Sequence, residues 1–169
     1  MSNSILKFNH MTTLDRIDYA LLRLLRKNAR LPNKDLAGKV GIAQSAALER
    51  VRKLREDKVL LGYHAEIAPQ AIGIGLQAMV SVRLAKHSRA LVDGFHAHLL
   101  ALPEVLACYH VAGADDFLVH VGVRNSDHLR NFTLTAFTER EEVAHIETRL
   151  IFEFQRNSEL PPWPIADAD

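Results

Sequence analysis

Apolar positions in the first part of the chain recur every three or four residues, the spacing of one buried helical face. They predict a helix over 15–27 that begins at the N-cap Asp15 and turns inward Ile17, Leu21, Leu24 and Leu25. A second helix is predicted after Pro32, with Asn33 as its cap and Leu36, Ala37 and Val40 inward. It should end at Gly41, because the turn needs a residue that tolerates positive φ.

A third helix is predicted over 44–57, with Leu48, Val51 and Leu54 as its inner stripe. Its opposite side carries Ser45, Ala46, Glu49, Arg50 and Lys53, with Arg52 at the flank. Two short helices joined by a glycine turn, the second with basic residues outward, are typical of a helix-turn-helix that inserts one helix into the major groove of DNA.

The second half of the chain alternates between strand-like and helix-like patterns. Strands are predicted over 76–85, 105–112, 117–123 and 143–154, and helices over 89–102 and 127–138. The order βαββαβ predicts an α+β, ferredoxin-like fold in which an antiparallel sheet carries both helices on one face. The other face holds more apolar residues than water favours, so we expect it to pair with a second copy of the chain.

These patterns divide the chain into five segments. They are a flexible extension (1–12), a helix-turn-helix domain (13–62), a linker strand (63–75), an αβ domain (76–160) and a C-terminal tail (161–169). Residues 59–67 are expected to be extended and to form a short wing and a linker, and Pro69 with Gly73 and Gly75 marks the boundary.

Charge is distributed unevenly along the chain. Residues 13–62 hold 12 Lys/Arg against 6 Asp/Glu, a net +6, whereas residues 63–169 hold 8 against 14, a net −6. The basic part indicates an anionic partner. No apolar run reaches the roughly 20 residues of a membrane span, residues 1–10 lack a signal-peptide core, and Cys108 is the single cysteine. We therefore expect a cytoplasmic protein with no membrane partner.

The third helix supplies the candidate DNA contacts. Arg50 and Lys53 are expected to reach phosphates or a guanine edge, and the first-turn residues Gln44 and Ser45 are expected to face bases. The predicted contact set is Gln44, Ser45, Ala47, Arg50, Arg52 and Lys53. A solvated helix face would show the same pattern, since helix-turn-helix patterns also arise by chance.

Nine histidines raise the question of a metal site. If the hairpin closes around Ala114, then Cys108, His110 and His120 share one sheet face, with Cys108 opposite His120, and could hold zinc. Core or interface packing is the favoured role for these side chains, and Cys108 is interpreted as a small buried hydrophobe rather than a nucleophile. No metal and no other cofactor is predicted.

Residues 14–54 resemble the N-terminal half of the leucine-responsive and asparagine-responsive regulators, the Lrp/AsnC family. The shared features there are Leu14-Asp15 with Ile17-Asp18, Leu24-Leu25, Ala29-Arg30-Leu31, Leu36-Ala37, Val40-Gly41 and the run LERVRKL at 48–54. Further matches are Gly62-Tyr63, Ala65, Pro103-Glu104-Val105, Cys108-Tyr109, Val111, Gly113, Asp116 and Thr148. The resemblance covers nearly all of residues 14–160.

This resemblance implies a winged helix-turn-helix joined to a small-ligand-binding αβ domain, in a homodimer that often assembles into an octamer. An amino acid or related metabolite is expected near the Gly-x-x-Asp turn. The implied effector-binding residues are Val111, Ala112, Gly113, Ala114, Asp115, Asp116 and Thr148. Turn amides can hold a carboxylate, and a carboxylate can hold an ammonium. A plain β-turn would use the same Gly and Asp for geometry alone.

Four positions depart from the family pattern. Ala43 and Gln44 stand where many relatives have Ser and then Pro, which leaves the third helix with a poor N-cap. Lys58 replaces a usual glycine after that helix, a strained choice at a left-handed C-cap. Asp115 replaces a frequent aromatic residue, which favours an effector with a cationic or polar side chain.

Three functions are compatible with this layout. The favoured one is a sequence-specific transcriptional regulator that binds double-stranded DNA and responds to a small molecule. A sirohaem-decarboxylase-like enzyme resembles the family in layout, but it carries a stretch rich in Arg, His, Asn and Trp where residues 108–121 here contain neither Arg nor Trp. No catalytic residue is therefore predicted. A ligand-binding module without DNA binding is the third possibility, and the +6 segment argues against it.

Overall fold

The computed structural model describes residues 13–157 and residue 159, which fall into two compact units. The helical unit comprises residues 13–65 with 156, 157 and 159, and the αβ unit is Glu66–Gln155. Residues 156, 157 and 159 lie within the predicted αβ segment 76–160 but cluster with the helical unit. Two of them contact its first helix: Arg26 donates to the Asn157 carbonyl at 2.8 Å, and Lys27 pairs with Glu159 at 2.5 Å. The predicted extension 1–12 and tail 161–169 lie outside the described residues.

The helical unit contains α1 (Arg16–Lys27), α2 (Asn33–Val40) and α3 (Gln44–Glu56). Leu21, Leu25, Leu36 and Val51 form its buried cluster. The prediction of Asp15 as the N-cap of α1 is confirmed, and Asp18 completes a capping box with it. The prediction that Asn33 caps α2 is wrong, because Asn33 is the first helical residue and the capping position is held by Pro32, which has no side-chain acceptor.

The inner stripe of α3 differs by one position from the prediction. Leu48 was expected to face inward, but its side chain is 54% exposed, whereas Ala47 is completely buried beside Val51 and Leu54. At about 100° per residue, this change rotates the buried direction of α3 and places Arg50 on its inner flank. The smallest of these apolar side chains therefore lies deepest, which hydrophobicity alone does not predict.

Both helices of the helix-turn-helix, α2 and α3, are followed by a residue in the left-handed backbone region. Gly41 ends α2 at φ +74°, as predicted, and Lys58 follows α3 at φ +59°. The amide of Val59 donates to the carbonyl of Leu54, and that of Lys58 donates to the carbonyl of Arg55, the two bonds of a Schellman motif. Residues 61–68 are exposed and contain no strand, so this part of the chain does not form the predicted wing strand.

The αβ unit has the predicted order βαββαβ. Its elements are β1 (Leu76–Leu84), α4 (Arg89–Ala101), β2 (Val105–His110), β3 (Phe117–Val123), α5 (Ser126–Thr133) and β4 (Val143–Ile151), with a π-helical turn at Leu134–Thr138. The strands form one antiparallel sheet in the order β2-β3-β1-β4. Phe95 and Leu99 of α4, with Leu129 and Phe132 of α5, cover the face that carries Val80, Val82, Val119 and Val121.

The opposite face of the sheet is more polar than predicted. Buried Ser81 accepts a hydrogen bond from Arg149 at 2.8 Å, and Arg149 also pairs with Glu147. His120 hydrogen-bonds Gln77 at 2.8 Å, and the ring centroids of His120 and Phe154 are 5.7 Å apart. Exposed apolar surface on this side comes from the β2 half of the sheet, where Tyr109 pairs with Leu118.

Candidate functional site

The outward side of α3 begins with a turn whose backbone donors are free. Ala43 provides no capping oxygen, and the amides of residues 44–46 donate to no acceptor within the described chain. Gln44 and Ser45 are exposed on this turn, and Lys53 is exposed two turns later with no ion pair to any described residue. Free amides at a helix N-terminus, together with an unpaired ammonium, form a surface that can donate hydrogen bonds to phosphate oxygens.

Arg52 is held by acidic residues on the same helix. Its guanidinium makes a two-point contact with Glu49, at 3.1 and 2.7 Å, and lies 3.7 Å from Glu56. These contacts lower the pKa of Glu49 and raise that of Arg52, with the hydrogen bond between the two as the main cause. Glu49 was left out of the predicted contact set, although it was placed on the outer side of the helix.

Two predicted contact residues lie elsewhere. Ala47 has no accessible surface, so we exclude it from any DNA contact, because a side chain sealed in the core cannot reach a base. Arg50 points to the N-terminus of α1, where its Nη1 lies 2.6 Å from Asp15 Oδ2 and 2.8 Å from Asp18 Oδ1.

The predicted effector turn is a four-residue loop at the end of the β2–β3 hairpin. The Val111 amide donates to the Asp116 carbonyl at 2.9 Å, which leaves residues 112–115 as the loop. Gly113 adopts φ +140°, a backbone conformation that would be strained in a residue with a side chain. The amides of residues 112–115 donate to no acceptor in the described part of the chain, and the Asp115 carboxylate accepts from no donor there.

The Asp116 carboxylate, by contrast, is occupied by its own chain. Its Oδ2 accepts the Leu84 amide at 2.7 Å, and its Oδ1 lies 2.8 Å from His87 Nε2. Its backbone amide donates to Val82, so Asp116 links β3 to the end of β1. Thr148 lies opposite Val80 on β4, and β1 separates it from β3 by two strand spacings, about 10 Å.

The arrangement of Cys108, His110 and His120 that would have allowed a zinc site is not formed. Cys108 pairs with Val119 and His110 pairs with Phe117, so both lie on the helix-covered face, whereas His120 is on the opposite face. The hairpin centre lies between Gly113 and Ala114 rather than on Ala114, and a one-residue slip reverses every side chain. Within residues 13–157 and 159 no cluster of metal-ligating side chains is found. Burial raises the pKa of the Cys108 thiol to about 11, which makes it a poor nucleophile.

Among the described residues, no helix is both long enough and apolar enough to cross a bilayer.

A helix-turn-helix with an exposed outer surface on α3, followed by an αβ unit with an exposed hairpin turn, is the layout of a two-domain DNA-binding protein. Residues 14–55 match the AsnC-type helix-turn-helix domain, and residues 77–158 match the Lrp/AsnC ligand binding domain. The chain belongs to the Lrp/AsnC family and is a transcriptional regulator with a helix-turn-helix and a ligand-binding domain.

Similar proteins include two curated regulators and one solved structure. The chain is 43% identical to the HTH-type transcriptional regulator AldR of Mycolicibacterium smegmatis over 145 residues, which cover 86% of this chain and 85% of the relative. It is 40% identical to the AldR regulator of Mycobacterium tuberculosis, with 86% and 81% covered. A transcriptional regulator of Neisseria meningitidis, solved in complex with L-Met, superposes with a TM-score of 0.81 at 27% identity and covers 88% of this chain and 97% of that one.

Proposed function

We propose that α3 reads double-stranded DNA through Gln44, Ser45, Arg52 and Lys53, with Glu49 orienting Arg52. The observation that carries this proposal is that the amides of residues 44–46 and the ammonium of Lys53 lie at exposed positions of α3 and have no partner among the described residues. Amides and the ammonium suit phosphates, while Gln, Ser and a guanidinium held flat by a carboxylate suit base edges.

Selection of a duplex from a random library by the wild-type protein tests this reading. We expect a selected sequence whose binding weakens with salt, and we expect Lys53→Ala to lower the slope of log affinity against log salt by about 0.9, the contribution of one phosphate contact. Arg89→Ala removes an exposed charge from the αβ unit and serves as the matched control. Failure to enrich any duplex, or equal slopes for Lys53→Ala and wild type, would contradict the proposed interface.

We further propose that the effector is an amino acid or a closely related metabolite bound at residues 111–116, with Thr148 as a second, more distant contact. The solved relative that contains L-Met supports an amino acid as the class of ligand. The free amides of residues 112–115 suit its carboxylate, and the unpaired carboxylate of Asp115 suits its ammonium or a cationic side chain. Asp116 acts by shaping the turn, because its oxygens already bind Leu84 and His87.

A thermal-shift screen of the twenty amino acids tests the effector site. A ligand present at 100 times its Kd should stabilise the protein by about 2.7 kcal/mol. Asp115→Asn should remove the ligand-induced shift without lowering the melting temperature of the free protein. Asp116→Ala should lower the melting temperature of the free protein, because the Leu84 amide loses its acceptor. A full ligand shift in Asp115→Asn would rule out Asp115 as the ammonium partner.

A homodimer, with further assembly to an octamer, is the proposed oligomeric state. The β2 half of the uncovered sheet face, with Tyr109 and Leu118, supplies apolar surface for a symmetric contact. Paired copies present two α3 helices, so the selected duplex should be roughly palindromic. The sirohaem-decarboxylase-like alternative is less well supported, because the relatives reported above are named as transcriptional regulators.

A further inference from the structure

The capping box of α1 and Arg50 of α3 form a closed hydrogen-bonded cluster. Asp15 Oδ1 accepts the amides of Ile17 and Asp18, at 2.9 and 2.8 Å, and Asp18 Oδ2 accepts the Asp15 amide at 3.3 Å. The two remaining carboxylate oxygens both contact Nη1 of Arg50. Every carboxylate oxygen of the cluster therefore has a partner, and a single guanidinium nitrogen joins the two helices.

The charge balance of this cluster makes it a poor site for a DNA contact. Two carboxylates surround one guanidinium, so the cluster carries a net charge of about −1, which repels phosphate. The hydrogen bonds to the two carboxylates raise the pKa of Arg50. The pKa of Asp15 is lowered by the hydrogen bond from the backbone amide of Asp18 and by the contact with Arg50. Nη1 of Arg50 is occupied by both carboxylates, so that nitrogen would have to leave them before it could bind a base or a phosphate.

The position of the cluster lets it control the rotation of α3. Apolar contacts through Leu21, Leu25 and Val51 hold α1 and α3 together, and Ala47 offers only a methyl group to that core. Arg50 follows Ala47 by three residues and precedes Lys53 by three, so it lies between the buried and the outward side of the helix. Turning α3 until Arg50 faces outward would carry Ser45, which is about 140° away around the helix, toward the buried side.

We propose that Arg50 is a positioning residue, which fixes the rotation of α3 by bridging Asp15 and Asp18, and that it makes no direct contact with DNA. The proposal rests on the proposed function, because it assigns how the recognition surface is oriented. It replaces the expectation from sequence that Arg50 reaches phosphates or guanine.

Removal of Arg50 alone cannot separate the two roles, since either one predicts weaker binding. For Asp18→Asn, the two roles predict opposite changes in DNA affinity. If Arg50 contacts DNA, loss of a nearby negative charge frees it and strengthens binding. If Arg50 is a positioning residue, the same substitution loosens α3 and weakens binding, although the protein has become more positive.

The experiment measures affinity and its salt slope for the selected duplex with wild type, Arg50→Gln, Asp18→Asn and the double variant. Each is studied well below its melting temperature, with folding checked by circular dichroism and the active fraction by stoichiometric titration. We expect each single variant to bind about tenfold more weakly, comparable to the loss of one base contact. The double variant should bind no more weakly than either single variant, and all salt slopes should match wild type. Lys53→Ala serves as the reference for a lost phosphate contact.

Three results would overturn the proposal. Tighter binding by Asp18→Asn, or a salt slope lowered by about 0.9 in Arg50→Gln, would place Arg50 on the DNA. Lower melting temperatures with unchanged affinity of the folded protein would reduce the cluster to a stabilising contact. A wild-type protein that selects no duplex would overturn the proposed function together with this inference, whereas the first two results leave DNA binding by α3 intact.

Discussion

In the αβ unit, Val80, Val119, Phe95 and Phe117 lie within one large apolar core, whereas the helical unit buries a small cluster around Leu21 and Val51. The helical unit adds the Asp15–Arg50–Asp18 cluster at the edge of that small core. Apolar contacts are not directional, so a small core sets the distance between helices better than their rotation. Oriented hydrogen bonds supply the missing direction. The comparison suggests that substitutions in the αβ core act mainly on stability, and substitutions at the cluster mainly on the geometry of α3.

The largest expected effect comes from Phe117→Ala. Its ring is fully buried and contacts the rings of Phe95, His96 and His110, at centroid distances of 5.4, 6.2 and 4.9 Å. Deletion of a buried phenylalanine side chain should lower the free energy of unfolding by about 3–5 kcal/mol. Urea unfolding followed by circular dichroism measures the change, with Leu100→Ala, an exposed position on α4, as the control. A loss of stability no greater than in that control would show that Phe117 and the αβ core contribute little to the free energy of unfolding.

Substitutions at the N-caps of α1 and α3 should change the free energy of unfolding by a smaller amount, in opposite directions. Asp15 caps α1 with two amide bonds, whereas Ala43 holds the same position before α3 with extended backbone and no acceptor. Ala43→Ser should therefore raise the free energy of unfolding by about 1 kcal/mol. Asp15→Ala should lower it by a similar amount, so thermal unfolding of the two variants should move in opposite directions. No gain from Ala43→Ser would indicate that another group already satisfies the amides of α3.

An effect of similar or smaller size is expected at the C-caps of α2 and α3. Gly41 and Lys58 share positive φ, but only glycine adopts it without strain. Lys58→Gly should gain about 0.5 kcal/mol, the relief of strain less the greater chain entropy of glycine when unfolded. Gly41→Ala, the matched reverse change, should lose about 1 kcal/mol. Destabilisation by Lys58→Gly would mean that the lysine side chain contributes more than its backbone strain costs.

The smallest effect concerns pH and the αβ unit. Burial lowers the pKa of His120, so the unfolded chain binds its proton more readily than the folded one. Stability from the neutral imidazole is therefore complete above the unfolded pKa of about 6.5 and falls as the pH drops through and below that value. Urea midpoints at mildly acidic and neutral pH should differ more in wild type than in His120→Gln. Equal differences in both proteins would remove His120 as the source.

Sequence alone determined the helix-turn-helix, the βαββαβ order, Asp15 as a cap and the turns at Gly41 and after α3. Each of these depends on local periodicity or on the backbone preference of one residue, and both can be read from neighbouring positions.

Tertiary structure decided which face of each element is used. Ala47 replaced Leu48 in the core of α3, Arg50 turned to the carboxylates of α1, and the hairpin centre moved half a residue, which separated His120 from Cys108. Such choices depend on how closely two elements approach and on partners many residues away, 35 positions in the case of Asp15 and Arg50. Periodicity along one element cannot contain that information, because small rotations and slips cost little until a second element is packed against it.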